Sequence, residues 1–249
     1  MARIVTHPGL RTGRNPTPEA IAAIKLPAIQ QGVGGWGIDE DFVGGVPAAA
    51  SGNRWIITAA DTASEAFTWA TAGGKGGLAV LDTGTGGAVN EQAQVQLDGA
   101  SFQPTVGASI YFGALLKTSA ITGKLFVGLA TEDTSLTSGS ALAVTSHIGF
   151  WFNGANVEFS ATGSTNSDTA IDAVADQFIK LEFVVTDTNS AVPYVNGTRY
   201  ASSKLTTIPS TIVTPSLVKV LGGTHDNRLV TVDWIKCYQN EDIVRVGSA

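Results

Sequence analysis

Phe178-Ile179-Lys180-Leu181-Glu182-Phe183-Val184-Val185 alternates apolar and charged side chains at a period of two residues. In an extended strand successive side chains point to opposite faces. Ile179, Leu181, Phe183 and Val185 therefore share one face, and Lys180 and Glu182 the other. That pattern predicts an antiparallel strand with one buried face and one wet face, on which Lys180 and Glu182 pair. Further on, Tyr194-Val195-Asn196-Gly197-Thr198-Arg199-Tyr200 sets Asn-Gly between two β-type runs. Asn-Gly is the preferred two-residue hairpin connection, because both central residues must accept positive φ. The same residues spell an Asn-Gly-Thr glycosylation sequon, but no secretory leader precedes them, so the turn is the expected role.

Working outward, strand-like runs broken by Gly, Ser, Thr and Asn fill the chain after Gly37. They fall at 54–58, 65–70, 77–81, 93–97, 109–117, 124–130, 147–153, 157–160, 178–187, 191–195, 198–201, 218–221 and 228–239. Val, Ile, Phe, Tyr, Trp and Thr are enriched in them, and turn signals recur every ~8 to 15 residues, the signature of a sandwich or barrel. Ile110-Tyr111-Phe112-Gly113-Ala114-Leu115-Leu116 and Leu125-Phe126-Val127-Gly128-Leu129 are apolar on both faces. These are expected to be central strands of a curved sheet with a filled concave face. Helical periodicity appears before Pro27 and weakly over 168–176. The fold expected is all-β, a two-sheet antiparallel jelly-roll sandwich spanning 37–249.

Residues 1–36 read as an irregular arm and linker. Pro8, Pro16 and Pro18 with Gly9 and Gly13 disfavour regular structure. A short helix is expected from Pro18 to Lys25, with Thr17 as N-cap, Pro18 in the first helical position and Glu19 favouring the dipole. Pro27 stops it, and Gln30-Gln31-Gly32-Val33-Gly34-Gly35 forms the linker. The segment reads either as a frayed terminus or as an arm whose Arg3, Arg11, Arg14 and Lys25 beside Ile21 and Ile24 suit docking on an acidic partner.

Composition narrows the function classes. Of 249 residues 14% are charged, against about 25% in an average soluble domain. Much of the surface must therefore be Thr, Ser, Asn, Gly and Ala, as suits a chain partly covered by copies or partners. The net charge is −6, with no Lys/Arg run, so the clustered basic field that nucleic acid requires is missing. An acidic balance also suits anionic membranes poorly, and there is no 18-residue apolar run for a span. The one cysteine, Cys237, excludes an intramolecular disulfide. The N-terminus lacks the apolar core of a signal peptide, so the chain is expected to stay where it is made or to leave by lysis.

Catalytic constellations are incomplete. His7, His147 and His225 lie far apart, without metal-ligand spacing. Gly73-Gly74-Lys75-Gly76-Gly77 lacks the Ser/Thr and helix of a phosphate loop. Asp39-Glu40-Asp41 has the wrong spacing for the paired carboxylates of a glycosidase, and Glu158 and Glu182 are single acids in apolar strands. No enzymatic activity, cofactor or metal is expected. Sugar binding is the rival expectation, with Trp36 as a platform and Asp226 and Asn227 supplying oxygens. Trp55, Trp69 and Trp151 are weaker platform candidates, and Glu132-Asp133 a further oxygen source, without a complete calcium series. Trp151 and Trp234 lie in apolar runs that normally fill core.

Asp39-Glu40-Asp41-Phe42, Ser109-Ile110-Tyr111-Phe112-Gly113, Phe126-Val127-Gly128-Leu129-Ala130, His147-Ile148-Gly149-Phe150, Tyr194-Val195-Asn196-Gly197 and Val232-Asp233-Trp234-Ile235 follow one another along the chain. In that order they resemble the concanavalin-like (laminin-G-like) jelly rolls found as structural proteins of tailed bacteriophages. The resemblance implies a virion component, made in the bacterial host cytoplasm and placed on the capsid surface. The role it implies is a capsid decoration (cement) protein that binds the major capsid protein and stabilises the phage head. Missing heptads and β-helix repeats argue against a fibre. By analogy with threefold sites on icosahedral shells a homo-oligomer, a trimer, is expected.

Overall fold

The computed structural model describes residues 35–42, 55–60, 66–69, 77–83, 92–99, 102–106, 108–132, 136–138, 141–142, 146–162, 166–201, 204–221 and 229–240. They form two large antiparallel sheets and a small hairpin, with no α-helix among the described residues. The first sheet contains β1 (Gly35–Glu40), β3 (Ala66–Trp69), β4 (Ala79–Asp82), β6 (Ile110–Thr118), β13 (Ile179–Asp187), β14 (Ser190–Val195), β15 (Thr198–Arg199) and β17 (Leu229–Asn240). Its order is β15-β14-β13-β6-β17-β4-β3, with β1 beside β17. The second contains β2 (Trp55–Ala60), β5 (Gln92–Leu97), β7 (Lys124–Ala130), β10 (His147–Asn153), β11 (Asn156–Ala161), β12 (Ser167–Asp172) and β16 (Thr214–Val220), ordered β12-β11-β10-β7-β16-β5-β2. The hairpin is β8 (Thr137–Ser138) with β9 (Ala141–Leu142). The strands expected at the centre, β6 and β7, are internal to their sheets.

Between the sheets lies one core. Phe112, Phe150, Phe159 and Phe183 stack and tilt on one another with centroids 5.1 to 6.2 Å apart, joined by Leu81, Val95, Leu116, Val127, Leu181, Leu217 and Val232. Asn196 (φ 51) and Gly197 (φ 83) form the expected turn, with Val195 opposite Thr198. Asn196 also accepts a bond from Lys180 N–H at 2.9 Å and donates its own N–H to the Lys180 carbonyl at 2.8 Å, fastening the hairpin to β13.

Four local expectations need correction. The face of β13 expected to be wet is buried: Glu182 is 0% exposed and Val184 1%. Its cause is a row of aromatics on the outer side of the eight-stranded sheet. Tyr111 lies over Gly113, where an added Cβ would sit 2.2 Å from the Tyr111 hydroxyl. Tyr238 lies over Gly37 in the same way and stacks on Tyr111 at 6.0 Å. Val184, Val192 and Tyr194 complete the cluster. Glu182 is partnered there by Lys180 Nζ at 3.2 Å and by the Tyr111 hydroxyl donating at 3.0 Å. Lys180 and Glu182 do pair, but inside a covered layer.

The weak helical periodicity at 168–176 belongs instead to strand β12 and the loop after it. The backbone pairs with β11, Thr169 Oγ1 donates to the Val157 carbonyl at 2.6 Å, and Ala170 takes φ 56 opposite the β11 register shift. Cross-strand bonding outweighs a weak 3.6-residue pattern. The strand expected at 218–221 begins at Thr214, so Pro215 sits inside a central strand opposite Leu129. Proline there lacks a ladder donor, which is why the run looked shorter. Gly35 and Trp36, expected in the linker, pair with Asn240 and Gln239 as the start of β1. The expected helix at 18–25 lies outside the described residues.

Burial pushes the Tyr111 hydroxyl well above its ordinary pKa of 10.0, with the Glu182 charge adding to it; burial, then Asp39, raises Tyr238 similarly. The contribution of these two groups to stability is constant below pH 10.0 and turns unfavourable as the pH climbs above it, since the unfolded chain releases the protons first. Tyr238→Phe is expected to soften that alkaline decline in urea melts recorded across pH. Tyr111→Phe removes a donor from a buried carboxylate and is expected to cost about 2 kcal/mol at neutral pH in the same melts.

Candidate functional site

The outer face of the seven-stranded sheet carries a candidate surface. Its side chains follow from the register. One row across the strands reads Asp168, Glu158, Trp151, Phe126, Val218, Gln94. The next reads Ser160, Gly149, Gly128, Ser216, Gln96. Gly128 and Gly149 face each other so closely that a Cβ on Gly128 would lie 2.5 Å from Gly149 Cα. Phe126 leans over this bare patch, its ring edge 3.0 Å from where a Gly149 Cβ would be.

The middle of this face is filled. Phe126, Ala130, Trp151, Val218 and Val220 pack with Leu136, which arrives from the segment after β7. Polar groups pin that segment down. Leu136 N–H donates to Gln94 Oε1 at 3.2 Å, Thr137 bonds Gln92, and Gln96 Nε2 donates to the Thr131 carbonyl at 3.0 Å and to Ser216 Oγ at 2.9 Å. His147 is buried at the start of β10. Its ring nitrogens lie 3.2 Å from Ser160 Oγ and 3.0 Å from Thr162 Oγ1, and Phe126 meets it edge-on at 5.7 Å. Among the described residues no group of three His, Cys, Asp or Glu is placed to hold a metal.

One end of the face stays polar and open. Glu158 on β11 receives bonds from Asn166 Nδ2 at 2.7 Å and from Asn153 and Asn156 Nδ2 at 3.4 Å each. Lys124 contacts Asn153, and Asp168, opposite Glu158, accepts the Ala170 N–H at 2.7 Å. Asn153 and Asn156 flank the two-residue turn Gly154-Ala155, with Gly154 at φ 68. A dense set of amides and carboxylates suits a hydroxyl-rich ligand. Glu158 appeared in the sequence as an isolated acid; the Asn-Gly-Ala-Asn turn beside it was the signal that could have gathered the corner.

The sequence-derived site residues fare differently. Trp55 and Trp151 are buried at 5% and 4% exposure, which removes both as sugar platforms. Trp234 is fully buried, and its Nε1 and that of Trp55 find no acceptor. The backbone of Trp36 sits in edge strand β1. Asp226 and Asn227 lie outside the described residues, as do Arg3, Arg11, Arg14, Ile21, Ile24 and Lys25. Asp39, from the acidic cluster, is taken by Lys236 and Tyr238, each at 3.1 Å.

No protein-family model and no curated protein match the chain. Solved structures do. A sialidase superposes with a TM-score of 0.53 at 12% identity over 81% of the chain, which spans only 18% of that enzyme. A protein of unknown function from Shewanella oneidensis MR-1 gives 0.58 at 14%, covering 86% of this chain and 90% of the other. Arcelin-5, a lectin-like defense protein from Phaseolus vulgaris, gives 0.53 at 9%, covering 84% and 100%. At such identities the likeness is one of fold. The chain has the concanavalin-like jelly-roll sandwich fold.

Proposed function

We propose that the chain is a non-enzymatic virion structural protein, a decoration protein that binds the major capsid protein and stabilises a phage head. The observation that carries it is the filled outer face of the seven-stranded sheet. Phe126, Trp151, Val218 and Leu136 pack over it, and the chain's own glutamines fasten the cover. A sandwich closed on itself suits contact through its edges, loops and basic arm, in which Arg3, Arg11, Arg14, Ile21, Ile24 and Lys25 would meet the shell. Clustering of several copies would multiply weak contacts of this kind.

A second reading, a carbohydrate-binding module adhering to host glycans, is favoured by the open corner at Glu158. Asn153, Asn156, Asn166 and Asp168 gather there the polar groups that sugar hydroxyls bond to.

Deleting residues 1–30 is expected to abolish binding to shells assembled from the major capsid protein while leaving the far-ultraviolet β signal intact. Undiminished binding of the truncated chain would refute the arm as the anchor. For the second reading, saturable hits on a glycan array should vanish with Asn166→Ala or Glu158→Gln; a blank array would retire it.

A further inference from the structure

Lys124 and Asn153 are register partners at the ends of β7 and β10, with side chains on the same face. Lys124 Nζ is in direct contact with Asn153 Oδ1. Asn153 Nδ2 faces Glu158 Oε1 at 3.4 Å, across the next strand pair. Glu158 is itself fixed, with Asn156 on the same oxygen and Asn166 on the other. An amine, an amide and a carboxylate are thus brought side by side by three neighbouring strands.

We propose that Lys124 and Asn153 form an intramolecular isopeptide cross-link, with Glu158 moving the protons. In its amine form Lys124 Nζ attacks Asn153 Cγ, and Oδ1 carries the developing negative charge. Glu158 Oε1, beside Nδ2, takes the proton that the nucleophile loses and passes it to the leaving nitrogen. The Cγ–Nδ2 bond breaks, ammonia departs, and a secondary amide joins Nζ to Cγ. Starting from the ammonium form, one ammonium ion leaves for each amide formed, so charge and atoms balance without an oxidant or a second reactant. Holding nucleophile and electrophile in contact removes most of the entropic cost of such a reaction, and a positioned carboxylate supplies the proton relay.

The bond would close a covalent loop around residues 124–153, the part of the chain that contains β7, β8, β9 and β10. That loop carries Leu136 and Thr137, which cover the outer face of the seven-stranded sheet. Cross-linking would therefore lock the cover as well as the two strands, since a closed loop has fewer unfolded conformations to lose.

Intact mass measured under denaturing conditions tests this. The purified chain is expected to be lighter than its sequence mass by one ammonia, and a protease digest should yield a branched peptide joining the Lys124 and Asn153 segments. Lys124→Arg and Asn153→Ala should each restore the full sequence mass. Glu158→Gln should lose or markedly slow the mass deficit, with an unchanged far-ultraviolet spectrum to show that the sheet survives. A wild-type chain that keeps its full mass after prolonged incubation overturns the proposal. So does an ammonia deficit that persists in Lys124→Arg, which would place the loss elsewhere, as at the Asn196-Gly197 turn.

Discussion

Rings laid over glycines hold both outer faces of this sandwich. Tyr111 can lie flat because Gly113 offers no Cβ, and Tyr238 depends on Gly37 in the same way. On the other sheet Phe126 leans over the Gly128–Gly149 pair. A face that would otherwise meet water becomes a third and a fourth apolar layer around the central core. The polar consequences follow directly. Tyr111, pressed down, brings its hydroxyl to Glu182, and Lys180 closes the other side. Tyr238 and Lys236 converge on Asp39. Buried charge is tolerated only when partnered and bonded, and the glycines bring these partners within reach.

The same constraint explains how far the fold was legible. Strand existence was plain, because β-branched and aromatic runs between turn residues have few alternatives. The hairpin at Asn196-Gly197 followed from local chemistry alone, and apolar runs without alternation identified β6 and β7 as central. Glu182 misled because alternation reports which face is polar, whereas solvent is excluded by residues distant in sequence, here Tyr111 on β6 and Tyr238 on β17. Pro215 and the weak periodicity over 168–176 misled for the converse reason, since pairing partners in β7 and β11 overrode local preference. The polar corner was the least legible feature. Lys124, Asn153, Glu158 and Asn166 come from three strands and a loop; the turn over 153–156 signals part of the corner, but nothing along the chain announces that Lys124 joins it.

Identities of 9% to 14% with proteins as different as a lectin-like defense protein and a sialidase show what this architecture requires. It needs apolar residues at alternate positions and turns of suitable length, but few particular side chains. Role is then decided by what occupies the faces and loops. In this chain the outer face of the seven-stranded sheet is given over to Phe126, Trp151 and Leu136, and one end of it to amides. The low charge fraction of 14% fits such an economy, since many of the polar groups bond within the protein.

Gly35 stands opposite Asn240, so the first described strand pairs with the last and the chain enters and leaves at the same end of the ladder. Hydrogen bonds in an antiparallel pair run perpendicular to the strands. Tension applied between these two points would load the bonds one after another, like a zipper opened from its free end, instead of sharing force across all of them. Held through one end, the sandwich keeps this seam free of load. Tethered at both, it would peel from β1 first and leave the central strands standing.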